Sequence, residues 1–377
     1  MRNVLLTWCL VFVMQTALGQ SNIFNHNGQQ NANQDNRIRH TEFAIPVSPA
    51  FSMLNADPSI VTMPSTVRDF KVDWSFKTYR LSPNLCLEAT PLWTLGYDRP
   101  QNGYKAYQKA GWFMRRLSSL NFSLGTIQLD TNRQMAWAVK INLYTQKDFY
   151  ATKEVFDIGN QDLAPMRDTA AAQLARLENE PDTSKTDGER FDRAYKIFML
   201  EAQLQSVDQQ MKDRTNFLRN IYMRRFWNSA SVDFCVGKTY LYFSESLDDM
   251  RLQQEGIGAW ITGGFGMGKK WFLSGLLKQI NFSNVEYSIQ RGVNLRYGGL
   301  RFQFFVEGIA EDSRLKKTNP DTGDKFMELT KSLTMAYGGM FRIGSNVALS
   351  FGVRTIYDRQ LVFKSLLPVA NISCLMR

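Results

Sequence analysis

From residue 69 onward the chain alternates between apolar and polar positions. Phe70, Val72, Trp74 and Phe76 interleave with Lys71, Asp73, Ser75 and Lys77. Successive side chains of a strand point to opposite faces, so this segment is read as a strand with one oily and one charged face. The same period returns at Leu120–Leu124, Met135–Leu143, Val232–Val236, Leu300–Val306, Leu333–Tyr337 and Val347–Val353. It is weaker over 85–95, 256–267, 272–282, 287–297 and 366–375. Counted together these predict about twelve strands, each near the length that crosses a bilayer at a tilt. An even count with both chain ends on one side fits a transmembrane β-barrel whose apolar face is turned to lipid. A soluble β-sandwich also alternates. The barrel is preferred because nearly every strand puts aromatic or aliphatic residues on its outer face, behind an export signal.

Residues 161–227 interrupt the alternation. Ile197, Leu200, Leu204, Val207, Met211, Leu218 and Ile221 follow a three-four spacing, the mark of a helix with one apolar stripe. A first arm over 167–179, joined through Pro181 to Gly188, completes a predicted helical hairpin. The expected fold is therefore an all-β transmembrane barrel of about twelve antiparallel strands, residues 69–377, with a helical insertion at 161–227. The stripe is the candidate partner-binding face, the alternative being that the two arms of the hairpin satisfy each other. By strand parity the insertion hangs on the periplasmic side, with short inner turns at Gly298-Gly299 and Gly344-Ser345-Asn346. The charged segment Glu311 to Lys325 is then an external loop.

The segment ahead of the barrel has three parts. In residues 1–19, Arg2, an apolar run from Val4 to Met14 and Ala17-Leu18-Gly19 read as a secretory signal peptide cleaved before Gln20. Residues 20–45 form a polar tail rich in Asn and Gln. Residues 46–68 hold Pro46, Pro49, Pro58 and Pro64 among apolar residues, which resists both helix and central strand. This part is expected to be extended and to pack in or under the lumen as a plug.

The run Ser48-Pro49-Ala50-Phe51, continuing through Leu54, Pro58, Ile60, Pro64 and Arg68, resembles the opening of outer-membrane β-barrel proteins from Bacteroidetes. Phe226-Trp227-Asn228-Ser229-Ala230-Ser231, where the helical insertion returns to a strand, and Leu367-Pro368 with Asn371 resemble them too. The resemblance implies an outer-membrane location and a barrel fold, and it carries no activity. The chain departs from such barrels in ending Ser373-Cys374-Leu375-Met376-Arg377, without a terminal aromatic.

Composition narrows the chemistry. The 377 residues carry Lys+Arg 45 against Asp+Glu 35, a net charge of +10, with 2 His and 4 Cys. Barrel enzymes that act on lipids or peptides place a histidine in the barrel as acid or base. Here His26 and His40 both lie in the polar tail, so no catalytic residue is expected. Cys86, Cys235 and Cys374 fall on separate strands without metal-ligand spacing, so neither a metal nor a cofactor is expected. The run Gly263-Gly264-Phe265-Gly266-Met267-Gly268-Lys269-Lys270 lacks the spacing of a phosphate loop.

Lys71, Lys77, Lys140, Arg301, Arg342 and Arg354 are assigned to the inner face, with Asp73, Glu88, Asp233 and Glu307 as their partners across the lumen. These are the candidate lumen charges, and they either pair with one another or line an anion-friendly passage. Arg115, Arg116, Lys269 and Lys270 are assigned to the inner edge of the barrel, within reach of lipid phosphates or partner proteins. The basic excess is thereby assigned to the barrel rather than to the helices. No nucleic-acid recognition module accompanies it. The expected partners are outer-membrane lipid and proteins docking on the hairpin. The function expected is a non-enzymatic accessory or scaffold subunit of an envelope complex, the alternative being a passive pore or transporter for small solutes.

Overall fold

The computed structural model describes residues 45, 47–65, 68–77, 84–97, 103–129, 132–152, 160–179, 186–243, 251–283, 285–318, 325–344, 346–358 and 360–376. Residues 1–44, which hold the expected signal peptide, nearly all of the polar tail and both histidines, lie outside these residues.

Twelve antiparallel strands close into one barrel. They are β1 (Phe70–Lys77), β2 (Asn84–Ala89), β3 (Asn121–Leu129), β4 (Asn132–Thr145), β5 (Ser231–Phe243), β6 (Arg251–Met267), β7 (Trp271–Phe282), β8 (Val285–Gly298), β9 (Phe302–Thr318), β10 (Lys325–Arg342), β11 (Val347–Tyr357) and β12 (Phe363–Met376). Each strand pairs with its sequence neighbours, and β12 closes the ring on β1, with Phe70 opposite Met376 and Lys77 opposite Val369. Every backbone donor and acceptor of a closed ring has a partner, which is what permits strands at bilayer depth.

With twelve strands, the start of β1 and the end of β12 emerge at the same end. Two insertions emerge there as well. The first, between β2 and β3, contains α2 (Pro91–Gly96), α3 (Gly103–Lys109) and α4 (Trp112–Leu117). The 85–95 segment was expected to be strand throughout, but the strand stops at Ala89. Pro91 enters the first turn of α2 after Thr90, where its missing N–H costs nothing, and its fixed φ turns the chain into helix. The second insertion, between β4 and β5, holds α5 (Leu163–Asn179) and α6 (Asp187–Phe226). Thr186 caps α6 in a reciprocal capping box with Glu189.

The two helices run antiparallel, with Arg193 donating to the Leu177 carbonyl and Arg167 bonded to Asp208 at 2.7 Å. At 40 residues α6 is about 60 Å long, over twice the length of α5. Its final turns seat on the barrel rim through Arg219, Met223 and Trp227, which are buried.

The segment expected to be the external loop from Glu311 to Lys325 is mostly strand. β9 continues to Thr318 and β10 resumes at Lys325. The outward face of β9 is apolar at Phe302, Phe304 and Val306, small at Gly308 and Ala310, and charged from Asp312 on. The lipid-facing band thus ends while the ladder continues into water, where Asp312 meets Arg291 at 3.3 Å and Lys331 at 3.9 Å.

Candidate functional site

The lumen is filled by the chain's own proline-rich segment. Four prolines prevent it from adding to the sheet, so its backbone groups must find partners on the wall. Pro49 starts the one-turn helix α1 (Pro49–Met53), and the chain then turns at Leu54 and Asn55, where Asn55 takes a left-handed φ of 51°. It continues to Ser65 without helix or strand, so the segment is not extended throughout as expected. Phe51, Met53, Leu54, Ile60 and Val61 pack against Ile127, Ala136, Trp260 and Ile309 of the strands. The wall is small where the plug approaches. A Cβ added to Gly292 would lie 2.6 Å from a Val61 methyl.

Wall charges cap the plug's backbone. Glu307 accepts from Ile60 N at 2.9 Å, Val61 N at 3.2 Å and Ser59 Oγ at 2.7 Å. Asp233 accepts from Ser65 N at 3.1 Å, and Lys140 donates to the Ser65 carbonyl at 3.0 Å. Lys278 donates to the Ser52 carbonyl at 2.7 Å, and Arg354 to the Asn55 carbonyl at 3.1 Å. Arg296 donates to Ser59 Oγ and to the Val61 carbonyl. On β1 and β2, Lys71 lies 2.7 Å from Glu88 and 3.2 Å from Asp73, and Ser48 Oγ donates to either carboxylate.

Seven of the ten sequence-assigned lumen charges are therefore buried inside: Lys71, Asp73, Glu88, Lys140, Asp233, Glu307 and Arg354. Three are not placed there. The Lys77 side chain is outside the described residues. Arg301 has the inward parity of β9 but precedes its first residue, in the turn, and is exposed. Arg342 ends β10 and is half-buried at the rim.

The lumen also holds three ionic side chains that the sequence did not assign, Lys278, Arg296 and the plug's own Asp57. Lys278 and Arg296 sit on the weakly alternating segments 272–282 and 287–297, whose faces could not be told apart. Their signal was the inward phase of Phe272, Ser274 and Leu276 before Lys278. Five cations (Lys71, Lys140, Lys278, Arg296, Arg354) thus face five carboxylates (Asp57, Asp73, Glu88, Asp233, Glu307). These ten buried charges balance, so the basic excess assigned to the barrel does not lie among them. Cys86 and Cys235 are buried in the wall, and all three described cysteines are free thiols. Among the described residues no cluster of three or more potential metal ligands occurs.

Of the two readings of the helix stripe, the structure shows the one in which the arms pack on each other. Val207 is buried, and Ile197, Leu200, Leu204, Met211 and Leu218 are half-buried on the side of α6 that faces α5; Ile221 is 48% exposed. Helix α5 supplies the apolar partner that the stripe required, so most of it is closed to an outside protein. Phe191, Tyr195, Phe198 and Met199 are exposed on the opposite side of α6, near its start.

At the insertion end, a small solvent-open cleft lies between the plug's exit, α4, the chain after β4 and the base of α6. Arg68 is the clamp of its wall. The guanidinium lies 4.3 Å from the Trp93 ring centre and 4.4 Å from that of Tyr150, and 3.2 Å from Asp148. Tyr107 also donates to Asp148. Burial alone would push the Asp148 carboxyl up, but Arg68 and the hydrogen bonds outweigh it and hold the carboxyl below its ordinary value. A depressed native pKa contributes stability that is present above the unfolded value and lost as pH falls through the native one. The near-UV circular dichroism of the Trp93, Tyr107, Phe149 and Tyr150 cluster should therefore hold down to about pH 4 and decline below it. Asp148→Asn should weaken that signal at neutral pH and remove the acid step, and an unchanged acid profile would contradict this role for Asp148.

Neither a protein-family model nor a curated protein matches the chain. Solved structures similar to it include the Acinetobacter baumannii outer membrane protein Omp33, at 5% identity and TM-score 0.30, covering 82% of this chain and 97% of that one. The CymD monoaromatic hydrocarbon channel is similar at 9% identity and TM-score 0.29, covering 90% and 95%. The N-terminal barrel domain of Pseudomonas aeruginosa OprF is similar at 12% identity and TM-score 0.23, covering 39% and 97%. The chain is an antiparallel barrel of the outer-membrane type. That statement rests on its own closed ring and outward apolar band.

Proposed function

We propose that the protein is a plugged barrel of the bacterial outer membrane that acts as a non-enzymatic scaffold, holding a long helical hairpin in the periplasm for an envelope complex. The occupied lumen carries this reading. Residues 47–65 are tied to the wall at both ends and in the middle, so the ring serves as an anchor rather than a passage. The hairpin supports it further, because α6 reaches about 60 Å and presents Phe191, Tyr195, Phe198 and Met199 to solvent. Membership of a Bacteroidetes barrel family, suggested by the Ser48–Arg68 run, belongs to the same proposal.

One observation favours a solute pore instead. A recess of about 150 Å³ opens at the end opposite the hairpin, lined by Gln134, Gln254, Gln290 and Glu311 and floored by Leu54 and Asn55. A solute entering it would meet the plug. Planar-bilayer recording of the intact protein separates the two. The scaffold reading expects no stable open channel, and a steady conductance would overturn it. Deleting 161–227 should also abolish crosslinking to periplasmic partners, and an unchanged partner set would count against the hairpin's role.

A further inference from the structure

The ten buried lumen charges balance, so the protein's positive excess does not lie among them, and the insertion-end cleft holds a concentration of positive charge. Arg68, Arg115, Arg116, Lys147 and Arg219 line the cleft, against Asp148 as the one carboxylate among its described residues. Arg68 is matched to Asp148, and Arg115, Arg116 and Lys147 add further positive charge to the described lining. Two of these are held in place. Arg115 is oriented by the carbonyls of Gln108 and Ala110, and Arg116 donates to Asn142 Oδ1 at 2.9 Å. Lys147 is exposed, with its ammonium 5.3 Å from the Phe226 ring centre. Fixed guanidinium groups around an open cleft suit a phosphate, whose oxygens accept charge-assisted hydrogen bonds in the geometry that arginine offers.

A second feature adjoins the first. Helix α4 begins Trp112-Phe113-Met114 and continues Arg115-Arg116. Trp112 is 70% and Phe113 65% exposed, while the two arginines turn into the cleft. On the neighbouring wall, Leu143 and Tyr144 face outward at the end of β4, and the chain goes on to Thr145 and Lys147 of the cleft. Both sides of the cleft thus join the lipid-facing band of the barrel to a basic lining. Exposed Trp beside Arg at the edge of an apolar band is the arrangement that sits at headgroup depth.

We propose that this cleft binds the phosphate of an anionic phospholipid from the leaflet at the insertion end, with Arg115, Arg116 and Lys147 around the phosphate and Trp112 and Phe113 against the acyl chains. The site rests on the membrane placement of the preceding reading and is independent of whether the lumen is closed.

The test is native mass spectrometry of the intact protein in a neutral detergent, titrated with dioctanoyl-phosphatidylglycerol, dioctanoyl-phosphatidylcholine and inorganic phosphate. One phosphatidylglycerol per protein should be retained, at least tenfold more tightly than the zwitterionic lipid. Lys147→Glu should weaken it about tenfold. Trp112→Ser with Phe113→Ser should weaken the lipid while leaving phosphate binding unchanged. Heat-modifiable migration of each variant shows that its barrel is folded, and Lys147 is a surface position that tolerates exchange. Equal retention of the two lipids, an undiminished affinity in Lys147→Glu, or inorganic phosphate binding as tightly as the lipid would each overturn the assignment. Failure here leaves the conductance result of the scaffold reading untouched, so the two ideas fall separately.

Discussion

Replacing Lys71 by methionine is expected to lower the stability of the folded barrel by about 3–5 kcal/mol, the usual consequence of removing one member of a buried ion pair. Lys71 has no solvent exposure, and its ammonium lies between Glu88 at 2.7 Å and Asp73 at 3.2 Å. Methionine keeps nearly the same volume, so little of the loss comes from a cavity. What remains is Asp73 and Glu88 facing each other as like charges in a dry interior, with the Ser48 hydroxyl shared between them. Lys140, 3.5 Å from Glu88, compensates only in part, because it also serves the Ser65 carbonyl. The comparison variant is Lys238→Met. Its 2.8 Å pair with Glu255 is solvent-exposed, and its loss should cost far less than that of Lys71. Denaturant titration in detergent, scored by heat-modifiable migration, reads both. Equal losses would mean that the Lys71 cluster contributes no more than a surface pair.

The ring itself was legible because a strand's period is two and a barrel keeps one face in lipid and the other against the plug. Phe70, Val72, Trp74 and Phe76 already announced the pattern, and each of the twelve segments that shared it became a strand. What the period could not show was where a strand stops. Leu85 and Leu87 lead into Leu92 and Trp93 without a break in apolar character, and only Pro91 marks the change to helix. Arg301 erred because inward parity holds only while the ladder lasts, whereas Arg342 keeps that parity as the last residue of β10 and sits where the lumen opens at the rim.

The three-four spacing from Ile197 to Leu218 marks one apolar face of α6, and most of that face packs within the hairpin. Its partner was an arm of this chain, which spacing alone cannot distinguish from a foreign protein. The cleft was the least legible part. Arg68, Arg116, Lys147 and Arg219 come from four separate segments, and only closure of the barrel brings them to one rim. The sequence placed Arg115 and Arg116 at an inner edge but held no hint of the aromatic clamp around Arg68.

Glu307 holds the other half of the plug from a different wall, and Glu307→Gln is expected to loosen that half while leaving the ring closed. The carboxylate accepts from Ser59, Ile60 and Val61 on the plug and from Asn294 on β8. A neutral amide offers one acceptor oxygen to these donors and turns two N–H groups of its own toward them. Hydrogen bonds to a charged group are worth about 1.5–3 kcal/mol each, and a buried donor left without a partner costs about 1–3 kcal/mol. A loss of roughly 3 kcal/mol is therefore expected, with Arg296 and Arg354 left beside a neutral group. Because Pro58 and Pro64 bracket the released stretch, it cannot re-pair with the wall as a strand. The second consequence is functional. Wild-type protein should be silent in a planar bilayer, whereas Glu307→Gln should show brief, flickering openings as residues 59–61 leave the wall. The Lys71–Glu88–Asp73 cluster would still hold Ser48, so the openings should remain short. Lys71→Met with Glu307→Gln should lengthen them by freeing both anchors. A silent Glu307→Gln with native stability would mean that the packing of Ile60 and Val61 against Ile309, rather than the carboxylate, keeps the plug in place.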